Sequence, residues 1–412
     1  MGPLTERPTL PTTLAADPRE VRPLTGLRLF AAAWVVLFHF QFTHGALLAR
    51  VLGPGYPVVT TGAMGVDLFF VLSGFVIALT YLGKLGRRPT GPAAVRFLWA
   101  RVCRIWPVYA LVTTGFLGWL LLKRWYWGIG EPAYQNVQPS LGVGSWLRQM
   151  TLTQMWTRPW HDGGSFAGPA WSVSAECLAY LLFPLTAWVF WRLRRVWRPV
   201  LLLVAVALMV PESYLCFTTG SPYFIWSWLA RIMLGFSSGV LVYLAVREIP
   251  RTRRVRRAAG LLAWLLVALV LAGLVYGAWL GPAPQGTERG GMVLVLFPLL
   301  VGALALGGSG SWLTGPGRLL STRWAVHGGR ISYSLYLVHV PLFEVFWTLM
   351  ERVGVLRDDG PPATALTPVV FLAAFVLADL LYRLVEEPAR RGLRRLTEPR
   401  PAAAAAPSPV SR

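Results

Sequence analysis

Charged residues are scarce in this chain, and their scarcity excludes an ordinary soluble protein. Only 14% of the 412 residues are charged, whereas a soluble domain usually carries about a quarter. Lysine occurs only as Lys84 and Lys123, so arginine supplies the formal net charge of +21. The arginines stand in short clusters between long apolar runs rather than on one basic face. This distribution argues against a nucleic-acid-binding protein.

Cysteines and metal-binding motifs are also few. The three cysteines are not spaced as metal ligands, and all lie in or beside apolar segments. We therefore expect free thiols, no disulfide framework and no metal site. The chain contains no HExxH motif, no Walker loop and no GxGxxG sequence after a strand, so the common signatures of zinc hydrolases and nucleotide-binding folds are missing.

Long apolar runs are abundant, and 55% of the residues are hydrophobic. A run of about 20 apolar residues is long enough to cross a bilayer as an α-helix. The pattern predicts an all-α, polytopic integral membrane protein with about ten transmembrane helices. The predicted segments are 27–48, 63–83, 105–122, 168–190, 199–217, 222–246, 259–280, 291–309, 331–350 and 367–385.

The distribution of basic residues predicts how these helices are oriented. With the N-terminus placed inside, the inside segments hold 29 Lys and Arg residues and the outside segments hold 8. Cytoplasmic loops carry such an excess, so both termini are predicted to be cytoplasmic, in the plasma membrane. We expect a cytoplasmic arm over 1–26, a transmembrane domain over 27–391 and a disordered cytoplasmic tail over 392–412.

A histidine and a glutamate are predicted to lie near the middle of the membrane. His39 follows Arg28 by 11 residues on the first helix, which places it about 16 Å deeper. Glu176 lies at a similar depth on the fourth helix, counted from the opposite side. The two side chains could form an acid–base pair in which the carboxylate orients the imidazole. A buried hydrogen-bonded histidine and a structural salt bridge are the alternatives.

Two arginines mark the start of the third predicted helix. Arg101 and Arg104 are one turn apart and share a helical face. A pair of guanidinium groups binds phosphate oxygens well. Their spacing alone favours a simpler role, which is anchoring at the membrane surface or binding anionic lipids.

Three further polar residues within the apolar runs are candidate site residues with structural alternatives. Asp67 lies near the outer, N-terminal end of the second helix and could cap that end. Ser73 precedes a glycine, and small residues favour close packing of helices. His339 follows a run of serines and tyrosines, which favours a hydrogen-bond network between helices.

Six stretches of this sequence resemble the membrane acyltransferase family 3, the bacterial integral-membrane O-acyltransferases. They occur in the family's order and span residues 24 to 391. The stretches are LTGLRLFAAAWVVLFHF, GVDLFFVLSGFVIALTY, RFLWARVCRIWPVY, PAWSVSAECLAYLLFP, GRISYSLYLVHVPL and YRLVEEPARR.

The resemblance implies transfer of an acyl group from acyl-CoA, with acetyl-CoA the expected donor, to a hydroxyl of a sugar. Arg28 and His39 match the family's arginine and histidine separated by ten residues, in which the histidine is essential. Arg101 and Arg104 match its arginine pair, which is associated with acyl-CoA. Glu176 matches the glutamate of the family's WSLSxE stretch, which here is WSVSAE.

Several alternatives stay open at the level of the sequence. The acceptor is either a surface glycan or a sugar on a macrolide-type antibiotic. His39 is either a general base or a transient acyl carrier. Ten helices with charges near the middle of the membrane would also suit a transporter of a small solute or a proton-coupled substrate. The expected partners are acyl-CoA, the acceptor and the lipid bilayer, without nucleic acid.

Overall fold

The computed structural model describes residues 20–132, 135, 137–160, 162–286, 288–308, 315–352 and 361–395. These ranges are helical, with turns and loops between the helices and no strand. Within them, ten helical spans are long and apolar enough to cross a membrane: α1 (Arg22–Gln41), α2 (Gly62–Arg87), α3 (Gly91–Trp127), α4 (Gly168–Leu193), α5 (Arg198–Thr219), α6 (Ser227–Val246), α7 (Arg253–Trp279), α8 (Glu288–Gly307), α9 (Arg323–Arg352) and α10 (Pro368–Arg395).

The predicted all-α, multi-pass membrane protein is therefore confirmed, and each predicted segment overlaps one of the spans. Three spans are much longer than their apolar runs. α3 begins at Gly91, α9 begins at Arg323 and α10 ends at Arg395, because all three continue as helix through arginine-bearing turns that hydropathy alone leaves out. Residues 1–19 of the predicted arm and 396–412 of the predicted tail lie outside the described residues. The orientation of the bundle stays a prediction.

Helices α2 and α6 lie at the centre of the bundle and pack closely on each other. Most of each is buried, whereas α7 and α10 expose most of their apolar residues to the surroundings. A Cβ added at Gly74 would lie only 1.9 Å from the carbonyl oxygen of Phe236. Small residues allow such close approach of two helix backbones. The predicted close packing at the Ser73-Gly74 pair is thus confirmed at the glycine.

Helices α1 and α9 run parallel, side by side. Near their starts, Arg22 donates a hydrogen bond to the carbonyl oxygen of Ser321 at 2.9 Å. A Cβ at Gly329 would lie 1.8 Å from the carbonyl oxygen of Thr25, so the two backbones nearly touch. The two helices stay together further along, where an imidazole nitrogen of His39 on α1 lies 3.2 Å from one of His339 on α9.

The long segment between α3 and α4 folds back along α3, from the end of that helix to residues near its middle. It contains a short helix, Val143–Met150, whose last carbonyl accepts a hydrogen bond from Trp106 of α3 at 2.9 Å. The amide of Gln154 donates to the hydroxyl of Tyr109 at 2.8 Å. These bonds fix the segment against α3. As a result, its residues Gln135 and Asp162 lie in the wall of a cavity.

Candidate active site

The first cavity, the arginine cavity, has a volume of about 230 Å³ and lies between α1, α2, α3, α4, α9 and the end of α10. Four arginines and one glutamate line it: Arg28, Arg101, Arg104, Arg394 and Glu176. The predicted phosphate-binding arginines of α1 and α3 therefore meet in one place. A cavity with this excess of guanidinium groups favours an anionic ligand.

Two of these arginines have no polar partner in the described part of the chain. Arg28 and Arg104 make no hydrogen bond and no ion pair there, and the guanidinium of Arg28 lies 6.0 Å from the Phe69 ring centroid. Arg101 donates to the Tyr81 hydroxyl at 3.1 Å and lies over that ring. Burying a guanidinium group even partly, without a hydrogen-bond acceptor for its N–H groups, costs free energy of folding. The arrangement suits a ligand that brings its own negative oxygens.

Glu176 lies in the arginine cavity and is held there by two hydroxyl groups. Ser73 donates to its carboxylate at 2.6 Å, Tyr180 donates to the same oxygen, and the two hydroxyl oxygens are 3.0 Å apart. Ser73 therefore binds the glutamate, a role that its packing position did not predict. The acid–base pair of His39 and Glu176 is not formed. The two residues face different cavities: Glu176 lies in the cavity that contains Arg28, and His39, 11 residues further along α1, lines another.

The second cavity, the histidine cavity, has a volume of about 160 Å³. His39 lines it together with Gln135 and Asp162 of the α3–α4 segment, and with aromatic residues and an arginine from the bundle: Phe38, Trp171, Tyr223, Tyr336 and Arg231. Aromatic rings beside planar polar side chains are suited to a ligand that combines apolar faces with hydroxyl groups.

A partition separates the two cavities. Val66 of α2 and Tyr336 of α9 line both of them. The hydroxyl of Tyr336 donates to the carbonyl oxygen of Pro169 at 2.7 Å and lies 2.7 Å from Ser172 Oγ, so the ring is held by the start of α4. Val66 and Tyr336 therefore stand between a group bound in the arginine cavity and a group bound in the histidine cavity.

His39 is paired with a second histidine. Its Nδ1 lies 2.9 Å from the carbonyl oxygen of Val35 and 3.2 Å from Nε2 of His339. His339 is fully buried, and its Nδ1 lies 3.1 Å from the carbonyl oxygen of Leu335. The predicted hydrogen-bond network between helices at His339 is present, and its partner is the candidate catalytic residue.

A buried ion cluster borders the histidine cavity. Arg231 of α6 donates to both carboxylate oxygens of Asp67, at 2.9 and 2.8 Å, and its Nε lies 3.1 Å from a carboxylate oxygen of Glu212. All three side chains are at most 3% exposed. Asp67 does lie in the first turn of its helix, but the residue makes an interhelical ion pair rather than a cap. Two carboxylates share one guanidinium.

Comparison with known families identifies the chain. The model of the acyltransferase domain of acyltransferase family 3 matches residues 23–383. The chain belongs to this family. The matched range contains the histidine cavity, the two histidines, the ion cluster and all the named arginine-cavity residues except Arg394. The protein is therefore a membrane acyltransferase.

Two relatives share most of the acyltransferase's length. "Acyltransferase MdmB" of Streptomyces mycarofaciens is 30% identical over 424 residues, covering 95% of this chain and 98% of the relative. BcsY of Komagataeibacter xylinus, named as a proposed membrane-bound transacylase, is 27% identical over 395 residues, covering 87% of this chain and 82% of the relative. No solved structure matches the acyltransferase significantly.

The sequence did not single out several residues that shape the acyltransferase's site. Tyr180 follows Glu176 by one helical turn, so its position beside the carboxylate could have been derived from spacing. The pairing of Asp67 with Arg231 also had a signal, since opposite charges within a membrane usually pair. The role of Tyr336 in the partition had none, because it depends on how α9 packs against α4.

Proposed function

We propose that this acyltransferase moves an acyl group, most simply acetyl, from acyl-CoA to a hydroxyl of a sugar. The observation that supports this most directly is the arginine cavity, in which Arg28 and Arg104 make no hydrogen bond and no ion pair with the described residues. The donor supplies phosphate oxygens, which guanidinium groups bind through charge-assisted hydrogen bonds. No comparable need for phosphate oxygens arises in a transporter of a neutral solute.

The donor would enter from the arginine-rich end of the bundle. At about 230 Å³, the arginine cavity is smaller than the roughly 300–1,000 Å³ typical of drug-sized ligands, so it would hold only part of acyl-CoA. The phosphates would lie among Arg28, Arg101 and Arg104. The flexible pantetheine arm would carry the thioester past Val66 and Tyr336, so that its carbonyl carbon reaches the histidine cavity. We place this end at the cytoplasmic face of the plasma membrane, where the charge distribution predicts it.

The acceptor would occupy the histidine cavity. In the proposed step His39 takes the proton of the acceptor hydroxyl while that oxygen forms a bond to the thioester carbon. The carbon–sulfur bond then breaks, the sulfur leaves as the CoA thiolate, and His39 returns the proton to it. The products are an ester and CoA. Glu176 would balance the charge of the arginines and hold Ser73 and Tyr180, and would not orient the imidazole.

The acceptor is a sugar of either a surface glycan or a macrolide-type antibiotic. The size of the histidine cavity, about 160 Å³, suits a single ring or a terminal group rather than a whole macrolide. The remainder of a larger acceptor would stay outside the cavity. Aromatic side chains such as Trp171 provide flat surfaces for a sugar ring, and Gln135 and Asp162 provide polar groups for its hydroxyls.

The proposal is tested with purified protein in detergent micelles. Acetyl-CoA is supplied with a panel of acceptors that includes a glycosylated macrolide and a cell-surface polysaccharide. Release of CoA is followed through its thiol, and the acceptor is examined by mass spectrometry. We expect release of CoA that depends on an acceptor and a matching gain of one acetyl group. Absence of CoA release with every acceptor, together with solute uptake by proteoliposomes, would favour a transporter.

Replacing Arg28 should weaken donor binding specifically. Arg28→Gln removes one charged donor from the arginine cavity, and a hydrogen bond to a charged group contributes about 1.5–3 kcal/mol. We expect the KM for acetyl-CoA to rise by about 10-fold or more, with the KM for the acceptor unchanged. Steady-state kinetics with each substrate varied in turn measures both constants.

The matched control is Arg383→Gln, which removes an exposed arginine of α10 that pairs with Asp379 outside both cavities. Its KM for acetyl-CoA should equal that of the wild type. An equal rise in both variants would mean that the overall charge of this end of the bundle, and not the cavity, attracts the donor.

A further inference from the structure

The contacts of the two histidines restrict where their protons can lie. A neutral imidazole carries one N–H, which donates, and one bare nitrogen, which accepts. The Nδ1 of His339 lies 3.1 Å from the carbonyl oxygen of Leu335. A carbonyl oxygen only accepts, so this Nδ1 carries the proton. The Nε2 of His339 is then the bare nitrogen and can only accept.

The same reasoning fixes the proton of His39. Its Nδ1 lies 2.9 Å from the carbonyl oxygen of Val35 and 3.2 Å from the bare Nε2 of His339. Both neighbours are acceptors, so Nδ1 of His39 carries the proton and shares it between them. If both histidines carried their proton on Nε2 instead, the bare Nδ1 atoms would point their lone pairs at the carbonyl oxygens of Val35 and Leu335. Nε2 of His39 is therefore the unprotonated nitrogen, and it is the atom that can act as a general base.

We propose that His339 is a positioning residue that holds His39 in the tautomer in which Nε2 is the base. His339 is fully buried in the bundle and is attached to α9, which packs against α1 along its length. It contacts His39 and acts through it. The inference about catalysis rests on the proposed function, whereas the inference about the tautomer does not.

Packing around the pair supports a fixed arrangement. The ring centroids of His39 and His339 are 5.0 Å apart, at an interplanar angle of 60°. Phe343 of α9 lies edge-on to His339, with centroids 5.9 Å apart, and Phe38 lies edge-on to His39, with centroids 5.0 Å apart. Rings held in this way cannot turn without displacing their neighbours. The hydrogen bond between the histidines therefore selects one ring orientation.

The tautomer is measured directly by ¹⁵N NMR of purified protein labelled in its histidines. The resonances of His39 are assigned by their loss in His39→Gln. In the wild type we expect Nδ1 of His39 to be protonated and Nε2 to be bare. Protonation of Nε2 instead would overturn the proposal, whether or not any variant folds.

Two substitutions of His339 separate hydrogen bonding from packing. In His339→Gln the side-chain carbonyl can still accept the proton of His39, so kcat should stay within about 3-fold of the wild type. In His339→Leu that acceptor is lost and only the carbonyl oxygen of Val35 still accepts the proton. The fraction of His39 protonated at Nδ1 should therefore fall, a second tautomer should appear, and kcat should decrease by about 10- to 100-fold. The KM for acetyl-CoA should stay within about 2-fold of the wild-type value, since the arginine cavity is untouched.

The matched control on the same helix is His327→Gln, which removes a half-exposed histidine that bonds Asp379 at 2.7 Å. This variant should keep the wild-type kcat. A wild-type kcat and a single tautomer in His339→Leu would overturn the role of His339. If the wild type transfers no acyl group but shows the expected tautomer, the proposed function fails and the assignment of the proton stands.

Discussion

His39→Gln should lower kcat by about 10²- to 10⁴-fold, the contribution usual for a general base. Glutamine can form hydrogen bonds at this place but cannot take a proton from the acceptor hydroxyl. Acetyl-CoA should still bind with an unchanged affinity, because its phosphates are bound in the arginine cavity and His39 lines the other one. Single-turnover and steady-state measurements of CoA release give both quantities.

The loss of activity must be separated from a loss of folding. His39→Gln should elute as the wild type does in size-exclusion chromatography and should melt within a few degrees of it. The control is again His327→Gln, which should retain full activity. Wild-type kcat in His39→Gln would remove His39 from the mechanism, and the assignment of the histidine cavity to the acceptor would then lose its basis.

Arg231→Leu should destabilise the protein by about 3–5 kcal/mol, the usual effect of leaving a buried charge without its partner. Two carboxylates, Asp67 and Glu212, depend on this guanidinium, and all three side chains are buried. Asp67→Asn should cost less, because Arg231 would still contact Glu212. Thermal and denaturant-induced unfolding in micelles compares the two variants.

The matched control is Arg198→Gln, which removes an arginine that is 46% exposed and pairs with Glu248 at 3.5 Å, while Glu248 keeps its second partner, Arg247. Exposed pairs contribute about 0–1 kcal/mol, so the unfolding midpoint of this variant should hardly change. The expected order of destabilisation is Arg231→Leu, then Asp67→Asn, then Arg198→Gln. A larger effect of Asp67→Asn than of Arg231→Leu would contradict the shared ion cluster.

The number and order of the helices could be predicted because hydropathy and helix length are local properties of the sequence. The meeting of Arg28 with Arg101 and Arg104 followed from the family resemblance and from their shared end of the bundle. The ends of α3 and α10 could not be predicted, because arginine-bearing turns are as helical as the apolar turns before them but lack the hydropathy signal.

The partners of the site residues depended on packing that the sequence does not display. Counting residues along each helix suggested that His39 and Glu176 lie at a similar depth, yet such a count does not specify which way a side chain faces. Rotation of α1 turns His39 toward α9 and His339, and rotation of α4 turns Glu176 toward Ser73 and Tyr180. Such rotations are set by close contacts, as at Gly329 and Thr25.

The central claim is that the donor binds in the arginine cavity while the chemistry takes place at His39 in the histidine cavity. Equilibrium binding of radiolabelled CoA to purified wild type, Arg104→Gln and His39→Gln tests it most directly. We predict equal Kd values for the wild type and His39→Gln, and a Kd about 10-fold higher for Arg104→Gln. Unchanged binding in Arg104→Gln, or loss of binding in His39→Gln, would contradict the two-cavity arrangement.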